Sequence, residues 1–122
     1  MYRATTALRK LVKAGKFLEL PTAHDALTGK LIQSIGFKSL YVGGFVTGGS
    51  TTISEPQLTM TEQIGLASNI ANGLKIPVVM DAGAGWGEPL HTMRTIRECI
   101  RAGIAGVHIE DQLFPKRAHY HT

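Results

Sequence analysis

The alternation of short apolar runs with helix-period stripes constrains this chain most: an opening helix is followed by strand–helix three times and then by a final strand. Residues 2–14 place Leu8, Leu11 and Val12 at helical spacing and stop at Gly15. Phe17-Leu18-Glu19-Leu20 reads as a first strand closed by Pro21, and Asp25 then caps a helix carrying Leu27, Leu31, Ile32 and Ile35 up to Gly36. Ser39 to Val42 is a second strand, leading into a Gly-, Ser- and Thr-rich loop from Gly43 to Ser54. Thr59 or Thr61 caps a third helix over roughly 61–73, with Glu62 in its first turn. Ile76 to Met80 forms the third strand. Pro89 opens a fourth helix with Met93, Ile96, Ile100 and Leu90 on its stripe, ending near Gly103, and Ile104 to Ile109 is the last strand. Close alternation of this kind implies parallel strands joined by right-handed crossovers, so that every strand ends at one rim.

Binding sites of parallel α/β proteins lie at that rim. Here it collects His24 and Asp25, Tyr41 to Phe45, Asp81 to Gly87, and Glu110 onward. Asp81 and Glu110 each follow a strand directly, where a carboxylate has little structural work beyond capping the next helix. Two such groups converging on one site suit Mg²⁺, a hard cation that takes one or two protein carboxylates and keeps water or substrate oxygens. Gly83-Ala84-Gly85-Trp86-Gly87 invites a dinucleotide reading, but its glycines are spaced two and two, and Asp81 would face a pyrophosphate with negative charge. Gly43-Gly44 serves either as a plain turn or as a close-approach site for a substrate anion. His108, inside an apolar strand, reads as a hydrogen-bonded core histidine. His119 and His121 in the closing loop are open to a transition-metal reading with Glu110 or to a plain solvated loop.

Composition excludes several classes. The excess of 13 Lys and Arg over 9 Asp and Glu is thinly spread, without the clustered basic face of a nucleic-acid surface. A modest basic balance suits a small acidic substrate. No apolar run approaches the roughly 20 residues of a membrane span. The start lacks the order of a signal peptide, so a cytoplasmic home is the default. Cys99, alone and within a helical pattern, reads as a buried structural thiol.

Three blocks in order carry a family resemblance: Gly36-Phe37-Lys38-Ser39-Leu40-Tyr41-Val42-Gly43-Gly44, Pro77-Val78-Val79-Met80-Asp81 through Gly85-Trp86-Gly87-Glu88-Pro89, and Gly103 through Gln112 with Phe114-Pro115-Lys116-Arg117. Together they resemble the isocitrate lyase and phosphoenolpyruvate mutase superfamily. The resemblance implies an α/β fold of the (β/α)₈ TIM-barrel type, Mg²⁺ or Mn²⁺ as cofactor, and a small 2-oxo or 2-hydroxy carboxylic acid as substrate. It also implies a homo-oligomer, tetrameric in the family. Its chemistry is lyase or decarboxylase work through a pyruvate-like enolate stabilised by the cation. The alternatives are phosphonopyruvate or carboxyphosphonoenolpyruvate mutase or hydrolase chemistry, or a non-catalytic relative that binds metal and carboxylate. On matching positions Asp81 resembles a metal ligand and Glu110 a metal-shell carboxylate. Tyr41, Gly43, Gly44 and Phe45 resemble the substrate cradle, with Gly85 and Trp86 as further substrate-binding positions. Lys116, followed by Arg117, resembles the basic residue of a mobile catalytic loop.

Two departures from that pattern bear on function. Gly83 stands where the family has a second acid two positions after Asp81, and Ser54 or Glu55 falls near another family acid. Ala118 stands where the C–C lyases have their loop cysteine, so that His119 or Tyr120 is the candidate to replace it. A (β/α)₈ barrel takes about 250 residues, and 122 supply roughly its first four βα units. The expectation is one domain, the N-terminal half of a barrel, inactive by itself.

Overall fold

The computed structural model describes residues 1–117. His119, Tyr120 and His121 lie outside the described residues. The elements follow in the order α1 (Ala4–Lys13), α2 (Ala26–Ile35), β1 (Leu40–Val42), α3 (Gly44–Thr51), a 3-10 turn (Glu55–Gln57), α4 (Met60–Asn72), β2 (Val78–Asp81), α5 (Pro89–Arg101) and β3 (Gly106–His108). The strands form one parallel sheet in the order β1-β2-β3, with Leu40 beside Val78 and Asp81 beside His108. Sequential parallel neighbours joined by helices are the repeating unit of a (β/α)₈ barrel, and the described elements follow that pattern.

Helix ends follow local chemistry. Asp25 accepts from the Thr28 N–H at 2.7 Å, capping α2. Thr59, rather than Thr61, caps α4, in a reciprocal box with Glu62. Pro89 occupies the first turn of α5, where its missing N–H leaves no bond unmade. The core lies between sheet and helices, where Leu40, Met80 and Ile70 are almost wholly enclosed; each contributes roughly 1.5–3 kcal/mol through removal of apolar surface from water. Cys99 is buried in this core as expected.

Four expectations need correction. Phe17 to Leu20 is not a strand: Phe17 is 91% exposed. The chain pairs only past Pro21, through an isolated bridge from Thr22 to Tyr41. Pro21 offers only its carbonyl, accepting from Tyr41 N at 2.9 Å, as a residue without an N–H can do at a sheet edge. The supposed loop from Gly43 to Ser54 contains α3, whose glycines and β-branched residues have poor intrinsic propensity. Packing overrides it, because Gly48 lies so close to Ile53 that an added Cβ would sit 2.6 Å from its carbonyl oxygen.

The stripes of α2 and α5 are also turned from their expected faces. Leu27, Leu31 and Ile35 on α2, and Leu90, Met93 and Ile100 on α5, are exposed, whereas Gly29, Ile32, Thr95 and Cys99 face inward. At Gly29 the absent side chain lets α2 approach Ile70 and Leu74 of the α4 region closely. His108 is not a core residue either. It is exposed at the end of the last described strand, its ring 5.2 Å from that of Tyr41 and its Nδ1 3.3 Å from the Tyr41 hydroxyl.

Candidate functional site

The C-terminal ends of β1, β2 and β3 bring their following residues to one rim. β2 ends at Asp81 itself, and Glu110 is tied alongside by its N–H donating to the Gly83 carbonyl at 2.8 Å. Glu55, at the start of the 3-10 turn after α3, reaches the same place. One carboxylate oxygen each from Glu55, Asp81 and Glu110 lie within 4.8 Å of one another.

Asp81 is aimed by backbone. Its Oδ2 accepts from the Gly44 N–H at 3.1 Å and its Oδ1 from the Gly83 N–H at 2.8 Å. Each oxygen keeps lone-pair capacity beyond that one bond. Gly44 needs its missing Cβ, because an added one would sit 2.9 Å from Glu55 Cγ and 3.2 Å from Asp81 Oδ2. Its N–H, expected to face a substrate anion, is committed to Asp81. Gly83 adopts φ +50°, a left-handed conformation that suits glycine and turns the chain back beneath the cluster.

Lys116 closes the cluster. Its Nζ bonds to Glu55 and, at 2.6 Å, to Glu110. Burial works to lower the pKa of this ammonium, but the hydrogen bonds to Glu110 and Glu55 and the charge of Asp81 outweigh it and hold the group above its ordinary value. Tyr41 is pushed up to about 12, by burial first and by the Asp81 carboxylate next.

The remaining expected residues spread out from this centre. Trp86 walls the cleft with Gly44, Glu55, Asp81, Gly83 and Lys116. Its indole N–H donates to the Leu58 carbonyl at 2.9 Å, and it sits at φ +59°, an uncommon conformation for a bulky residue that its surroundings must enforce. Gly85 is buried but faces α5, an added Cβ meeting Thr92 Oγ1 at 2.4 Å. Gly43 packs against the Tyr41 ring, whereas Phe45 and Arg117 are exposed. The structure thus gathers Asp81, Glu110, Gly44, Trp86 and Lys116, and leaves Tyr41, Gly43, Gly85, Phe45 and Arg117 off the cleft wall.

Spacing alone does not decide Glu55 against Ser54, because it does not count residues across an unrecognised helix. Thr47 and Gln63 gave no signal: on a helical stripe, one threonine and one glutamine look like surface residues.

The family model described as phosphoenolpyruvate phosphomutase matches residues 8–121. The 2,3-dimethylmalate lyase of Eubacterium barkeri is 38% identical over 113 residues, covering 90% of this chain and 39% of the lyase. A phosphoenolpyruvate phosphomutase structure from Streptomyces platensis subsp. rosaceus superposes with a TM-score of 0.92 at 33% identity, over 97% of this chain and 42% of that one. Phosphonopyruvate hydrolase in complex with oxalate and Mg²⁺ superposes with a TM-score of 0.89 at 26% identity, over 94% and 41% respectively. The chain spans about two fifths of the length of these relatives.

Proposed function

The chain belongs to the phosphoenolpyruvate phosphomutase family, within the isocitrate lyase/PEP mutase superfamily, and from that membership we propose that it forms the cation-binding side of an enzyme acting on a small 2-oxo or 2-hydroxy carboxylic acid. The reading rests on one observation, the convergence of Glu55, Asp81 and Glu110 within 4.8 Å at the strand ends.

The donor set fits Mg²⁺ or Mn²⁺. All three groups offer hard oxygen and none offers nitrogen or sulfur, which favours these ions over zinc. Three carboxylates also carry more negative charge than the single Lys116 ammonium, bonded to two of them, can neutralise. A bound divalent cation would supply electrostatic stabilisation of the negative charge that develops on an enolate oxygen. The chain's own residues do the rest. The Gly44 and Gly83 amides orient Asp81, Trp86 screens one side of the cleft from water, and Lys116 holds a proton and a positive charge at Nζ where a substrate carboxylate would enter.

The leading reaction is C–C bond cleavage or decarboxylation, the class of the dimethylmalate lyase to which the chain is 38% identical. P–C bond chemistry on a phosphonate is the second reading, favoured by the similarity to a phosphomutase and to the oxalate- and Mg²⁺-bound hydrolase. The exposed apolar side chains of α2 and α5 support self-association as well. No helix among the described residues is long and apolar enough to cross a membrane.

Calorimetric titration with Mg²⁺ and then oxalate, an enolate mimic, tests the site. Heat is expected from the wild type and none from Asp81→Asn. A wild type silent to both would overturn the cation-site reading. Pyruvate release by the complete barrel from a panel of diacids and phosphonates separates the two reaction classes.

A further inference from the structure

Gln63, on α4, is a buried polar side chain that the reading above does not use. It is 1% exposed, and burying an amide costs several kcal/mol unless its groups are bonded. Its Nε2 donates to the main-chain carbonyl of Asp81 at 3.3 Å, and its Oε1 accepts from the Thr47 hydroxyl at 2.7 Å. The Asp81 carbonyl can only accept, so the amide cannot be turned over without setting two acceptors against each other. The Thr47 hydroxyl has one proton and two other acceptors, Gly43 O at 3.0 Å and Gly44 O at 3.1 Å; Gln63 Oε1 is the nearest.

These bonds close a circuit through three elements. Gly44, at the start of α3, donates to the Asp81 carboxylate. Thr47, one turn later on α3, is tied to Gln63 of α4, and Gln63 returns to the main chain of Asp81 at the end of β2. We propose that Gln63, held by Thr47, is a positioning residue that sets the aim of the Asp81 carboxylate and the distance of the Gly44 turn from it. It lines the same cleft as Asp81, and its two bonds run to Thr47 and to the Asp81 main chain, so it acts through Asp81. Its importance for cation binding rests on the metal-site reading, whereas its control of the Gly44 to Asp81 contact does not.

Two measurements keep the two ideas apart. The first is the amide-proton shift of Gly44 in metal-free protein. In Gln63→Met it moves upfield as the bond to Asp81 lengthens, and the Gly83 amide, which donates to the other oxygen of the same carboxylate, is a second reporter of the change in aim. The second is calorimetric titration with Mn²⁺ alone. Gln63→Met and Thr47→Val bind about 10-fold or more weakly, as loss of a partner that orients a ligand does, and Thr47→Ser, which keeps the hydroxyl, restores affinity. An unmoved Gly44 amide together with unchanged Mn²⁺ affinity in Gln63→Met overturns the proposal. So does a loss in Thr47→Ser as large as in Thr47→Val, which would mark a packing role. If the wild type binds no Mn²⁺, the metal-site reading falls and the Gly44 shift alone decides whether Gln63 positions Asp81.

Discussion

The Gly44 amide nitrogen lies 3.1 Å from Asp81 Oδ2, joining the start of α3 to the end of β2 across 37 residues of sequence. The contact exists only because position 44 has no side chain.

Gly44→Ala should therefore be costly although its backbone needs no left-handed angle. The added methyl meets Glu55 and Asp81 together, and overpacking of this kind costs about 1–3 kcal/mol. Thermal unfolding should show that loss, and Mg²⁺ titration should show weaker binding than in the wild type. Unchanged affinity would mean that Asp81 and Glu55 move aside freely.

Lys116→Met removes the ammonium between Glu55 and Glu110. The carboxylates then repel one another without compensation, so the metal-free variant should unfold at lower temperature. Saturating Mg²⁺ should narrow the difference, because a divalent cation neutralises the same oxygens. Mg²⁺ affinity should hold or rise. Weaker Mg²⁺ binding in this variant would contradict the charge argument.

Trp86 is the single tryptophan and stands in the cleft wall. Its fluorescence should respond to Mg²⁺ with oxalate. Trp86→Phe keeps an aromatic ring but loses the bond to the Leu58 carbonyl, so oxalate should bind more weakly while Mg²⁺ affinity holds. A wild-type emission spectrum indifferent to both ligands would place binding away from this wall.

Acid stability should carry the mark of the α4 cap. Hydrogen bonds from Thr59 hold the Glu62 carboxyl below its ordinary value of 4.5. A lowered folded-state pKa contributes stability that is fully present above the unfolded value and is lost as pH falls through the folded one. Wild type and Glu62→Gln should therefore differ in melting temperature at neutral pH and converge as the pH drops below 4.5. A difference that persists in strong acid would assign the effect to something other than charge.

Much of the fold was legible because its signals are local. Pro89, the caps at Asp25 and Thr59, and the apolar runs at Leu40–Val42 and Val78–Asp81 each act within a few residues, and α2, α4, α5 and three strands follow from them. Phe17 to Leu20 misled because four apolar-rich residues before a proline look like a strand whether or not a neighbour exists to pair with them. α3 was hidden for the opposite reason. Its glycines argue against a helix locally, and only contacts with Ile53 and Glu55 make them favourable. The helix faces were misjudged because hydrophobic periodicity reports where apolar residues lie, not which neighbour fits; the close approach at Gly29 decides α2.

The candidate site divides along the same line. By itself the sequence determined that Asp81 and Glu110 would stand at the ends of neighbouring parallel strands, since strand ends and their carboxylates are consecutive residues. Only the tertiary structure decided that Glu55 joins them, that Lys116 closes on two of the three, and that Thr47 and Gln63 brace the arrangement from beneath. Apart from Lys116 to Glu110, six positions apart, those contacts join residues 16 to 61 positions apart, and the packing of α3 on α4 and of α4 on β2 that helps bring them together is encoded by no short stretch of sequence.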